Sequence, residues 1–178
     1  MKIVVISWLT AGILALCNTA CCQIPTAGQL AWQMTIGINL GNTLEAICDE
    51  GAWGAGKTPK QLIDSIKAAG FNTIRLPVAW FCHADTITLK IDRAWKGRVK
   101  EVVDYCISNN MYAIINMHWD KGWLENRIDA KNQQQVHKRL HKYWTQIATF
   151  FKSDDEQVLF AGADEPNAGN KVQMPILL

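Results

Sequence analysis

The sequence predicts an α/β fold, a parallel β-sheet covered by α-helices, and three observations lead there. Four short runs rich in aliphatic and β-branched residues, at 35–40, 73–76, 112–117 and 158–161, have strand length and turn-forming flanks. Stretches with apolar residues at helical spacing alternate with them. The strand-end positions Leu40, Arg75, His118 and Glu165 recur at the length of a βα unit with a generous loop, and no low-complexity linker interrupts them. Closed (β/α)8 barrels and open doubly wound sheets both use such units. No Gly-x-Gly-x-x-Gly turn follows the first strand, which removes the main support for the dinucleotide-binding open sheet.

The amino terminus reads as a targeting segment. Lys2 precedes an almost uninterrupted apolar run over 3–16, small and polar residues follow, and the run is too short to span a bilayer comfortably. Residues 1–22 are expected to be a signal peptide, with export as its consequence. An acylated cysteine at Cys17, Cys21 or Cys22 is conceivable, although none sits in a clean lipobox.

Thr35-Ile36-Gly37-Ile38-Asn39-Leu40 forms the first strand, and the glycine-rich, acidic stretch 41–57 is a loop. Thr58 as N-cap and Pro59 at the first helical position then start a helix. Leu62, Ile63, Ile66 and Ala69 make its apolar face, and Gly70 supplies a left-handed C-terminal cap. The second strand, Thr73-Ile74-Arg75-Leu76, is apolar apart from Arg75, and Pro77 limits its ladder. Asp92 caps a helix carrying Trp95, Val99, Val102, Val103 and Cys106 at helical spacing. Tyr112-Ala113-Ile114-Ile115-Asn116-Met117 is the third strand, followed by a polar and aromatic loop and a long helix over about 130–151. Val158-Leu159-Phe160-Ala161 is the fourth.

Composition narrows the function. The chain is 49% hydrophobic and 19% charged, enough to build a core, and its net charge of +2 creates no large field of one sign. Nucleic acid and anionic membrane surfaces are therefore not expected partners. Beyond the leader, Cys106 lies on an apolar helical stripe and reads as a buried small hydrophobe. Cys48 and Cys82 both follow predicted strands and could meet as a disulfide in an oxidising compartment, but two free thiols is the expectation. His137 and His141 are one helical turn apart among Lys138, Arg139 and Lys142, whose charge would repel a cation, so a solvated face is expected and no metal or other cofactor.

The chemistry concentrates at strand ends. Arg75 comes from the second strand, His118, Trp119 and Asp120 from just past the third, and Asp164-Glu165-Pro166 from just past the fourth. Singly, Arg75 fits a structural ion pair, His118 a core histidine and Asp164-Glu165 a solvated turn. Three successive strand ends that deliver ionisable groups, interleaved with tryptophan, favour a functional site over three coincidences.

The segments Gly37-Ile38-Asn39-Leu40-Gly41-Asn42-Thr43-Leu44-Glu45, Phe71-Asn72-Thr73-Ile74-Arg75-Leu76-Pro77-Val78, Ile115-Asn116-Met117-His118-Trp119-Asp120 and Asp164-Glu165-Pro166-Asn167 resemble, in order, the first four strand motifs of family-5 glycoside hydrolases. The resemblance runs over 35–174. It implies a (β/α)8 TIM barrel that cleaves β-1,4-linked polysaccharide, cellulose or a related β-glucan, with retention of configuration. Residues 30–178 would then be the N-terminal half of that catalytic barrel, a truncated half barrel of about four βα units. By position, Glu165 would be the general acid/base, Arg75 the arginine that restrains the nucleophile, and His118 the substrate-contacting histidine of the third motif. The nucleophile would be a second glutamate at the end of a seventh strand, which this sequence does not contain.

Asp164 departs from the family, which has asparagine there. An asparagine amide donates to the sugar 2-hydroxyl, whereas an ionised aspartate only accepts. Trp53, Trp80, Trp119 and Trp123 fall in predicted loops, where indole faces can stack on pyranose rings; Trp119 and Trp123 are expected to bind substrate, and Trp80 fits equally well beneath the loops. The expected partner is a β-linked polysaccharide, with self-association possible through exposed half-barrel edges. The alternative to catalysis is a carbohydrate-binding fragment without turnover.

Overall fold

The computed structural model describes residues 25–118, 121–126 and 129–164; the expected leader, Trp119 and Glu165 lie outside them. The elements are α1 (Ala27–Gln33), β1 (Gly37–Asn39), α2 (Lys60–Ala68), β2 (Thr73–Val78), a 3-10 turn (Phe81–His83), α3 (Arg93–Ser108), β3 (Tyr112–Met117), α4 (Trp123–Asn126), α5 (Gln133–Phe150) and β4 (Val158–Ala161).

The four strands pair in parallel in the order β1-β2-β3-β4. That order separates the two architectures left open by the sequence, because a doubly wound sheet reverses direction and places its first strand internally, whereas a barrel adds each strand beside the last. Register sorts the side chains. Ile74, Leu76 and Val78 share one face with Ala113, Ile115 and Met117, and helix residues Ile63, Ile66, Val99, Val102, Val103, Cys106 and Ile147 complete that core. Each fully buried Ile, Leu or Val contributes about 1.5–3 kcal/mol. Asn39, Arg75, Ile114, Asn116 and Leu159 occupy the opposite face.

Several local expectations are met. The Asp92 side chain accepts the Ala94 N–H at the start of α3, and Gly70 follows α2 at φ 97°. Cys106 is a buried free thiol, and burial pushes its pKa up to about 12, which leaves it inert.

Others are corrected. Cys48 and Cys82 form a disulfide rather than two free thiols, because the loops after β1 and β2 lie side by side, with their Cα atoms 4.9 Å apart. The N-cap of α2 is Pro59 and not Thr58, whose side chain makes no cap. The Thr58 backbone is instead held by an ion pair: its N–H donates to Glu50 Oε1 at 2.8 Å and its carbonyl accepts from Arg98 Nη2 at 2.8 Å. The first strand begins at Gly37, because the Thr35 N–H goes to the Asn72 side chain and the Ile36 carbonyl accepts from the Asn72 N–H. The long helix begins at Gln133 because Asp129 takes the Asn132 N–H in a preceding turn. The short helix α1, capped by a reciprocal Thr26 and Gln29 box, was not expected. Among the described residues, no helix is long and apolar enough to cross a membrane.

Candidate active site

Arg75, His118 and Asp164 converge. Arg75 stands on β2 between Asn39 of β1 and Ile114 of β3. The apolar neighbours along β2 face the helices, and alternation sends Arg75 to the opposite side. His118 follows β3, and its N–H donates to the Val78 carbonyl at 2.9 Å, so the third strand stops level with the end of the second. Asp164 follows β4, whose exit is anchored by Trp144 Nε1 donating to the Gly162 carbonyl at 2.8 Å.

Asp164 is the hub. Its Oδ1 accepts from Arg75 Nη2 at 2.5 Å and from Asn116 Nδ2 at 3.2 Å, and its Oδ2 lies 2.9 Å from His118 Nδ1. The histidine contact has ion-pair distance but not hydrogen-bond direction, and among the described residues Nδ1 has no hydrogen-bond partner. Arg75 Nη1 donates to Asn39 Oδ1 at 2.5 Å. The side chains keep partial access to solvent, 32% for Arg75, 26% for His118 and 20% for Asp164. A guanidinium, an imidazole and a carboxylate thus line one partly open surface, able to donate to and accept from a polyhydroxylated ligand.

Trp123 does not stand in an open loop. It was expected to stack on sugar from a loop, but α4 buries it to 6% exposure, with the Arg139 guanidinium 5.0 Å from its ring. Trp80 is fully buried, whereas Trp53, in the loop after β1, is 42% exposed. Sequence reading gave no role to Asn39 and Asn116. Their signal was present, since each is the polar residue of its strand and shares the face of Arg75 or His118.

The sequence profile of the cellulase family, glycosyl hydrolase family 5, matches residues 34–174. The chain belongs to that family. This family-5 chain is 42% identical over 142 residues to endoglucanase B of Clostridium cellulovorans, covering 79% of itself and 32% of that relative. It is 40% identical over 153 residues to the xyloglucan-specific endo-β-1,4-glucanase of Bacteroides ovatus, covering 80% of itself and 30% of the relative. The chain therefore spans about a third of the length of these curated relatives. Among solved structures, the Bacteroides ovatus xyloglucanase in complex with a XXXG heptasaccharide superposes with TM-score 0.82 at 34% identity, over 87% of this chain and 37% of that one. The broad-specificity endoglucanase of Ruminococcus champanellensis with bound cellotriose superposes with TM-score 0.78 at 41% identity, over 85% and 47%. The fold is that of the family's (β/α)8 TIM barrel, and the four described strands are part of it.

Proposed function

We propose that this chain contributes the arginine, histidine and acid/base side of a β-1,4-glucan hydrolase cleft in an exported family-5 enzyme. The meeting of Arg75, His118 and Asp164 at the ends of three neighbouring strands is the observation that carries this reading. Glu165 follows Asp164 directly and is assigned as general acid/base. A retaining hydrolysis needs a second carboxyl about 5 to 5.5 Å away as nucleophile, and that glutamate belongs to a strand beyond the four described. In this reading Glu165 protonates the departing glycosidic oxygen, then deprotonates water in the second step. Arg75 orients the nucleophile and His118 contacts the sugar. Asp164 replaces a neutral amide with a carboxylate already engaged by Arg75 and Asn116, so it offers the sugar no donor. The substrate class is a β-linked glucan, cellulose or xyloglucan, which the endoglucanase and xyloglucanase relatives support. Residues 1–22 and the Cys48–Cys82 disulfide support export to an oxidising compartment.

The test is reducing-end release from carboxymethylcellulose and xyloglucan by the complete barrel enzyme, which supplies the nucleophile, and by its Glu165→Gln variant. Activity that vanishes in the variant supports the assignment. Activity that survives it removes Glu165 as the acid/base. Oligosaccharide binding, seen as a change in tryptophan fluorescence, without any release of reducing ends would establish the carbohydrate-binding alternative.

A further inference from the structure

We propose that Asn39 is the positioning residue of Arg75, and that a corner built from Gly41 and Glu45 holds Asn39 in place. Only the kinetic arm of its test rests on the glucanase reading. Arg75 carries its guanidinium on a long stem, and one hydrogen bond leaves such a group free to swing. Two bonds fix its plane, and here they come from different strands: Nη2 reaches Asp164 beyond β4, and Nη1 reaches Asn39 on β1. Asn39 is the register partner of Arg75, so the amide meets the guanidinium across one ladder step.

The amide needs its own support. A Cβ on Gly41 would lie 3.1 Å from Asn39 Nδ2 and 3.3 Å from Glu45 Oε1, so a side chain there would press on both the amide and the carboxylate, and glycine keeps that space clear. Glu45 is buried, and its carboxylate binds the turn it closes: Oε1 accepts the Asn42 N–H at 2.5 Å and Oε2 the Thr43 N–H at 2.9 Å. The Thr43 hydroxyl donates to the Leu40 carbonyl, and Asn42 sits in the left-handed region at φ 62°. The turn is thereby tied to the residue that follows Asn39. This gives the segment Gly41-Asn42-Thr43-Leu44-Glu45 a role that runs through Asn39 to the guanidinium.

The experiment uses the full chain labelled with 15N, with Arg75→Lys to assign the guanidinium signals of Arg75. The wild type is expected to give resolved Nη signals for Arg75, Asn39→Ala a single averaged signal, and Asn39→Asp resolved signals again, because a carboxylate accepts the same bond. Gly41→Ala is expected to broaden the Arg75 signals in the wild type and to change nothing further in Asn39→Ala, the coupling expected of residues acting through one contact. Resolved Nη signals in a folded Asn39→Ala protein overturn the proposal, as does their loss in Asn39→Asp. In the complete barrel enzyme acting on a soluble β-glucan, Asn39→Ala is expected to lower kcat roughly 10- to 100-fold with KM within about twofold, and Asn39→Asp to recover most of it. An unchanged kcat overturns the proposal. A complete barrel enzyme, nucleophile included, that releases no reducing ends defeats the glucanase reading and leaves the spectra to decide.

Discussion

Arg98 with Glu50 and Arg75 with Asp164 are two guanidinium–carboxylate pairs in one small molecule, and their surroundings differ. Glu50 is 3% exposed and takes two bonds from Arg98, at 2.7 Å to Nε and 2.9 Å to Nη2, while the Thr58 N–H and carbonyl occupy further sites on both partners. Glu101 takes a further Arg98 nitrogen at 2.6 Å. The pair fastens the loop after β1 to the start of α2 and to α3. Asp164 takes one bond from Arg75, and its other partners among the described residues are the side chains of Asn116 and His118. A pair closed by backbone groups has one geometry and serves the fold. A pair bordered by side chains and solvent can rearrange around a ligand, which is what a binding surface requires.

Protonation sharpens the contrast. Burial acts to raise the pKa of Glu50, but the Arg98 hydrogen bond, the Thr58 N–H and the charges of Arg98 and Lys57 together outweigh it, so the net shift is below the ordinary value of 4.5. A carboxyl depressed in the folded state stabilises the protein above its unfolded pKa, and that contribution is lost as pH falls through the folded value. Acid should therefore loosen the Glu50 clamp.

These differences can be broken by experiment, beginning with the largest effect. The Cys48–Cys82 disulfide holds the same loop as Glu50 and closes a separation of 34 residues, for which loop-closure entropy predicts a loss of about 4 kcal/mol on its removal. Cys48→Ser/Cys82→Ser should lower Tm by that equivalent in thermal denaturation; an unchanged Tm would mean the loop is held by the ion pair alone. Arg98→Ala strands a buried carboxylate and should cost about 3 kcal/mol in denaturant titration. Glu50→Gln should flatten the loss of stability below about pH 4.5, since the linked proton is gone. Arg75→Ala should do the reverse, lowering kcat/KM of the complete barrel enzyme on the order of 100-fold with stability changed by less than about 1 kcal/mol. A large stability loss there would place Arg75 with Arg98 among the structural pairs. The smallest effect is expected from Asp164→Asn in the complete barrel enzyme, where restoring a donor for the sugar should raise kcat by about threefold, roughly one neutral hydrogen bond at most. Unchanged or lower turnover would mean that the carboxylate is needed to hold Arg75.

Local signals read the fold well. The residues of β3 and β4, the Asp92 cap and the apolar stripe of α3 followed from periodicity and capping chemistry, which act within a few residues. The site was legible in outline, because ionisable groups in apolar strands stand out. Its amides did not, since Asn39 and Asn116 gain meaning only from Arg75 and Asp164 across the sheet. Trp123 and Thr58 were misplaced for the same reason: a predicted loop tells nothing of whether a helix packs over the indole or an arginine takes the cap residue's carbonyl.

The sequence by itself determined the alternation of strands and helices, the face each helix buries and the strand ends that carry charge, because these depend on spacing along one chain. Only the tertiary structure decided the sequential strand order, the pairing of Cys48 with Cys82 and the identity of Asp164 as the hub that gathers Arg75, Asn116 and His118. Those depend on distances between segments far apart in sequence, which side-chain period and local propensity do not encode.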